Sequence, residues 1–282
     1  MTLLTRGAFV RVSLAMVLGA AATACASAGA RPAATPAAAP AIREEAITFR
    51  SGRDSLTGTL FLPPGAVRHP AVIMLHGSGG EDRSANRELA LAFAADGIAA
   101  FTYDKRGTGA SSGDWKKAGF TDLTADAANA AIAVRNRPDI DPNRLGVYGR
   151  GQSATMLPMV AERDASISFL IAVGPNGVAA DSLDTWRYDP DAHWRSVNGA
   201  VYLAWGANDQ RVPVQKSKDL ITAALKRDTP REELTCVYPG ADHAIAVAGH
   251  PAPDFVRDVT QWALVAVRLA APPGGPYSAA CR

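Results

Sequence analysis

Two segments of the chain carry side chains that cooperate in proton transfer. Asp209 lies in Leu203-Ala-Trp-Gly-Ala-Asn-Asp-Gln-Arg-Val-Pro213, and His243 lies in Tyr238-Pro-Gly-Ala-Asp-His-Ala244. A carboxylate so placed can hold an imidazole in one tautomer, leaving the other ring nitrogen to take a proton from an attacking hydroxyl. Taken singly, Asp209 is also readable as a turn cap and His243 as a surface-loop histidine. Their joint placement after successive strands favours the chemical reading. The hydroxyl is expected upstream, where Arg144-Leu-Gly-Val-Tyr-Gly-Arg-Gly-Gln-Ser153 has the form of a strand entering a nucleophile elbow. In such an elbow, Gly-x-Ser-x-Gly, the serine sits at the tip of a strained strand-to-helix turn. Here Gly149 and Arg150 lead to Gly151, which has no side chain with which to attack. Ser153 fits a shifted reading, Gly151-Gln-Ser-Ala-Thr155. Two residues further into a helix, however, its side chain is rotated about 200° from the tip. It reads instead as a small residue where the helix crowds the neighbouring strand.

Two glycine-rich loops complete the reactive set. Leu75-His-Gly-Ser-Gly-Gly80 can aim a backbone N–H at a developing oxyanion, from Ser78 or its neighbour. Tyr103-Asp-Lys-Arg-Gly-Thr-Gly-Ala-Ser-Ser-Gly113 is assigned a structural role, with Arg106 paired to a carboxylate. A phosphate loop is the weaker reading, because no helix starts directly behind its glycines.

These loops must be positioned by the elements between them. Ala46–Arg50 and Leu56–Leu62 read as antiparallel strands joined by a Ser-Gly-Arg-Asp turn. Ala71-Val-Ile-Met-Leu75 is a continuous apolar run, expected of a strand buried on both faces. A helix from near Ser84 to Gly97 and a strand Ile98–Tyr103 follow. Thr121 can cap an Ala-rich helix running to about Arg137. Strands are expected at Leu145–Tyr148, Phe169–Val173, Val201–Trp205 and Leu234–Tyr238, with helices from Gly151, over Val214–Lys226 and over Phe255–Leu269. This alternation implies a mainly parallel sheet flanked by helices, with the reactive loops at the carboxyl ends of the strands.

The N-terminus reads as an export signal. Arg6 and Arg11 precede an apolar stretch, Val12–Ala22, too short to span a bilayer comfortably. Ala22-Thr-Ala-Cys25 resembles a bacterial lipobox with Cys25 as the lipidation point; cleavage after Ala28 or Ala30 is the alternative. Residues 1–24 are thus expected to be a signal peptide, 25–42 an Ala/Pro-rich tether and 43–282 one α/β domain. The expected location is the periplasm or a lipid-anchored position in a bacterial envelope. Removing Arg6 and Arg11 leaves 29 − 2 = 27 basic against 27 acidic residues, so the domain is neutral and a nucleic-acid partner is not expected. Cys236 and Cys281 are a disulfide candidate, with two unpaired thiols as the alternative. No CxxC or Cys/His cluster suggests a metal.

These motifs resemble the α/β-hydrolases, in particular the exported bacterial esterases and the dienelactone-hydrolase-like group. The resemblance rests on His76-Gly-Ser-Gly-Gly80, Tyr103-Asp-Lys-Arg-Gly-Thr-Gly109, Asp139-Ile-Asp-Pro-Asn-Arg-Leu-Gly146, Gly206-Ala-Asn-Asp-Gln-Arg-Val-Pro213 and Gly240-Ala-Asp-His243, and covers residues 44 to about 270. The order nucleophile, acid, histidine is that of the family. It implies ester hydrolysis without cofactor or metal, with Asp209 as acid, His243 as base and Gln152 as the backbone donor after the nucleophile. Two departures stand out. Relatives read Gly-His-Ser-x-Gly-Gly where this chain has Gly149-Arg-Gly-Gln-Ser-Ala154. They also place a helical cap of many tens of residues before Tyr188-Asp-Pro190, where this chain has the short segment Gly174–Arg187, so a short or absent cap is expected.

Three functions follow as expectations. The first is an ester- or acyl-binding envelope protein with lost or strongly reduced catalysis, its protein partner unspecified. The second is an active ester hydrolase using Asp209 and His243 with an activated water or with Ser153. The third is a structural envelope scaffold.

Overall fold

The computed structural model describes residues 41–178, 188–226, 232–268 and 277–281. The signal-peptide, Cys25 and most of the tether readings lie outside these residues, as does 179–187, the larger part of the short cap segment.

Among the described residues, eight strands form one sheet in the order β1-β2-β4-β3-β5-β6-β7-β8. β1 (Arg43–Ser51) and β2 (Asp54–Leu62) form the antiparallel hairpin, and β2 pairs antiparallel with β4 (Ala99–Tyr103). From β4 onward the neighbours are parallel: β3 (His69–Met74), β5 (Ile140–Arg150), β6 (Ile167–Val173), β7 (Ala200–Gly206) and β8 (Glu233–Tyr238). Every residue of β3 and β4 is buried, which explains the apolar runs Ala71–Met74 and Ala99–Phe101 within them.

Helices cover both faces. α2 (Phe120–Arg135), α3 (Gln152–Arg163), α4 (Pro190–Ser196) and α5 (Val214–Leu225) pack in succession on one face; α1 (Arg87–Ala95) and α6 (Phe255–Ala266) pack on the other. Each face has its own apolar cluster, one around Leu60, Ile73, Leu157 and Trp205, the other around Phe93, Phe169, Tyr202 and Trp262.

Several boundaries differ from the expectations. Thr121 lies inside α2; the cap is Gly119, extended, whose N–H donates to the Asp122 carboxylate at 3.1 Å. An acid at the third helical position thus replaces the hydroxyl cap. A 3-10 turn at Arg83–Asn86 precedes α1, because the Asp82 carboxylate takes the Ser84 N–H. α4 was not foreseen; Asp189 caps it and Pro190 opens it. The C-terminal tail is fastened by a Cys236–Cys281 disulfide. Among the described residues no helix is long and apolar enough to cross a membrane.

Candidate active site

The turn between β5 and α3 carries the site. β5 continues through Arg150, which pairs with Val173 of β6, so Gly151 is the one residue between strand and helix. Its backbone is at φ 55° and ψ −112°. A side chain there would incur strain of about 1–3 kcal/mol; glycine does not. The Gly151 N–H donates to Val173 O at 2.8 Å, and the Thr155 hydroxyl returns a bond to Gly151 O at 3.1 Å. Gly149 leaves room behind the tip, since a Cβ there would lie 2.8 Å from Ser153 Oγ and from the Ala154 backbone nitrogen.

Ser153 is turned away from the reactive face. It is 3 % exposed, accepts from the Arg150 N–H at 3.0 Å and donates to Arg150 O at 3.2 Å. Its neighbours across a small void are Leu75, His76, Tyr103 and Lys105. The side chain therefore clips the elbow closed, a more specific task than relieving crowding.

His243 and Asp209 come together from the loops after β8 and β7. His243 Nδ1 donates to Asp209 Oδ2 at 2.6 Å. The other carboxylate oxygen accepts the N–H groups of Arg211 at 2.7 Å and Val212 at 3.2 Å. With Nδ1 carrying the proton, Nε2 is the acceptor. The Asp209 side chain is fully buried, while that of His243 is 21 % exposed. A Cβ built on Gly151 would lie 2.8 Å from His243 Nε2. Position 151 and His243 Nε2 thus face one another.

Two clefts meet at this point. One of about 380 Å³ is lined by Phe120, Thr155, Asn176, Val178, Tyr188 and Val212 in addition to Ser78, Gly151, Gln152, Arg211 and His243. The other, about 510 Å³, opens between Gly77, Glu81, Arg150 and Asp242 and shares Ser78, Gln152, Arg211 and His243. Ser78 and Gln152, the two expected oxyanion donors, therefore border both. Gln152 is the first residue of α3, where backbone N–H groups lack intrahelical partners.

The second glycine loop is built from charge pairs. Arg106 bonds the Asp126 carboxylate through Nε at 2.8 Å and NH2 at 2.6 Å, with Asp54 at 3.4 Å. Asp104 receives Arg83 through Nε and the backbone N–H at 2.9 Å, and the Ala110 N–H at 2.7 Å. Burial alone would raise the Asp104 pKa, but these donors outweigh it and hold it at about 2. Lys105, between them, was not singled out from the sequence: its ammonium contacts Gly77 O, Gly79 O and Gln152 Oε1. Arg150 pairs with Glu81 at 3.0 Å. His76 is a core residue, pushed down to about 4 by burial, and its ring bonds Tyr103 O. Among the described residues no group of three or more His, Cys, Asp or Glu could hold a metal ion.

The family described as X-Pro dipeptidyl-peptidase (S15 family) matches residues 51–245. The thiohydrolase apmlB of Arthrinium phaeospermum is 30 % identical over 213 residues, 72 % of this chain and 69 % of that protein. Other curated relatives are spanned less fully, one mycobacterial protein to 63 % of its length. The dienelactone hydrolase of Anabaena variabilis superposes with a TM-score of 0.59 at 19 % identity, covering 80 % of this chain and 97 % of that one. The α/β-hydrolase GrgF from Penicillium sp. sh18 superposes with a TM-score of 0.66 at 13 % identity, covering 80 % and 100 %. These two likenesses speak to fold, and the sheet order and parallel core agree with them. The chain belongs to the X-Pro dipeptidyl-peptidase (S15) family and has the α/β-hydrolase fold.

Proposed function

We propose that this protein binds an ester or acyl ligand in the cleft beside Gly151 and that covalent ester hydrolysis is lost or strongly reduced. One observation carries the reading: a Cβ on Gly151 would stand 2.8 Å from His243 Nε2, so the glycine occupies the place from which a serine would hand over its proton. Without that serine no acyl-enzyme forms at the tip. Loss of the nucleophile removes about a millionfold from kcat, leaving about 10³–10⁴ over water from binding and oxyanion contacts. The smaller cleft suits an acyl chain rather than a peptide amino terminus, because its described lining holds no carboxylate to pair with an ammonium.

The 2.6 Å Asp209–His243 bond favours a second reading, in which Nε2 removes a proton from a water and slow hydrolysis proceeds by general-base catalysis. A pure scaffold has no use for a poised acid–base pair. The Cys236–Cys281 disulfide supports an exported location, and a lipid mapped to Cys25 would support envelope anchoring.

The test is turnover of a short-chain activated ester by the native protein, Gly151→Ser, Ser153→Ala and His243→Ala. The proposal expects little or no native turnover and a rise of at least about 10³-fold in Gly151→Ser. Native turnover abolished by His243→Ala alone supports the water reading. Native turnover abolished by Ser153→Ala overturns the assignment of the tip.

A further inference from the structure

Lys105 is 4 % exposed and bonds neutral oxygens: its ammonium donates to Gly77 O at 2.8 Å, Gly79 O at 3.1 Å and Gln152 Oε1 at 3.1 Å. Its chain neighbours behave differently, since Asp104 is matched to Arg83 and Arg106 to Asp126. Trp115 covers the ammonium, with its ring centre 5.6 Å away. A desolvated ammonium is costly to keep, and burial pulls this one down to about 8 against the attraction of Glu81 and Asp126. An apolar side chain of similar length would fill the space without that cost, so packing alone does not account for a lysine.

The planar peptide supplies the reason. The Gly77 carbonyl and the Ser78 N–H belong to one trans amide and point in opposite directions. Fixing Gly77 O on Lys105 therefore turns the Ser78 N–H away from Lys105, and Ser78 borders the clefts beside Gly151. On the preceding peptide, the Gly77 N–H is held by the Glu81 carboxylate at 3.0 Å. The third Lys105 contact reaches the side chain of Gln152, whose backbone N–H begins α3. One ammonium thus joins the two segments that supply the oxyanion donors.

We propose that Lys105 is the positioning residue of the oxyanion site, holding the Ser78 and Gln152 N–H groups at a fixed separation and adding its charge behind them. This rests on the reading that the cleft receives an acyl carbonyl. The ligand class it selects is one that places a negative oxygen beside Gly151, such as a tetrahedral oxyanion.

The probe is butylphosphonate, a tetrahedral anion that needs no bond to the tip, titrated calorimetrically into the native protein and Lys105→Met. In parallel, ester turnover is compared between Gly151→Ser and Gly151→Ser with Lys105→Met. The expectation is at least tenfold weaker phosphonate binding. In the parallel pair, kcat should fall about 10²-fold with KM within threefold, a split that a general loss of structure would not give. If Lys105→Met does not fold, Lys105→Gln takes its place. Phosphonate binding and kcat both changed less than threefold, or KM worsened as much as kcat, overturn the role of Lys105 while leaving the site reading intact. No phosphonate binding by the native protein together with no turnover by Gly151→Ser overturns the site reading and this proposal with it.

Discussion

The loops after β7 and β8 bring two ionisable side chains together, whereas the turn between β5 and α3 presents only backbone at Gly151. Asp209 and His243 are bonded to each other and anchored by two backbone N–H groups. The elbow has no functional side chain at Gly151, yet it retains a positive φ, the facing base and the bonds that close the turn. The contrast shows that the shape of a nucleophile elbow is held by its surroundings. Ser153 clips it from within, Gly149 lets the helix approach, and Val173 fixes the tip amide. On the proposed reading a side chain at the tip would add chemistry and strain, and glycine supplies neither.

The largest expected effect tests whether the acid–base half still works. If it does, Gly151→Ser should gain ester turnover that His243→Ala in the same background lowers by at least about 10³-fold. Equal rates in the two would mean the Asp209–His243 pair is idle. The gain itself should fall short of a native serine enzyme, because His243 Nε2 sits where a new Cβ needs space and the ring must draw back.

A second comparison separates scaffold from site. Asp104 is nearly buried and holds the segment after the first glycine loop through Arg83. Asp104→Asn leaves Arg83 without its charge partner and should cost about 3 kcal/mol in urea denaturation, without abolishing turnover in Gly151→Ser. The sign of its pH dependence follows from the lowered carboxyl. Folded, Asp104 titrates at about 2, below the unfolded value of about 3.9. Its stabilisation is full above pH ~4 and is lost as pH falls toward 2. The native protein should therefore lose stability faster than Asp104→Asn across that window. Equal slopes would remove Asp104 from the account.

The smallest effect concerns Ser153. Ser153→Ala removes two bonds to Arg150 and should cost about 1 kcal/mol, with turnover of Gly151→Ser unchanged within threefold. A larger loss of activity than of stability would return Ser153 to the chemistry.

The parts of this site that were legible in the sequence are those written locally. Strand-to-loop transitions marked Asp209, His243, Ser78 and the tip at Gly151, and the alternation of strands with helices, with the apolar run Ala71–Leu75, implied a parallel core. What escaped is non-local. Lys105 sits in a loop whose glycines and flanking charges suggested structure, and its contacts lie 26 to 47 residues away in the chain. Phe120 and Tyr188 line one cleft as an edge-to-face pair drawn from distant segments. α4 is too short to leave a periodic pattern, and its Asp189 cap with Pro190 was the available signal. The Thr121 cap was misplaced because an acid three residues beyond Gly119 outcompeted the hydroxyl.

The central claim is that Gly151 stands at the nucleophile position, facing a working base. The most direct measurement is covalent labelling by an alkyl fluorophosphonate, read by intact mass and peptide mapping. The account predicts no serine adduct on the native protein, one adduct on the peptide carrying position 151 in Gly151→Ser, and loss of that adduct when His243→Ala is added. An adduct mapped to Ser153 of the native protein would contradict it.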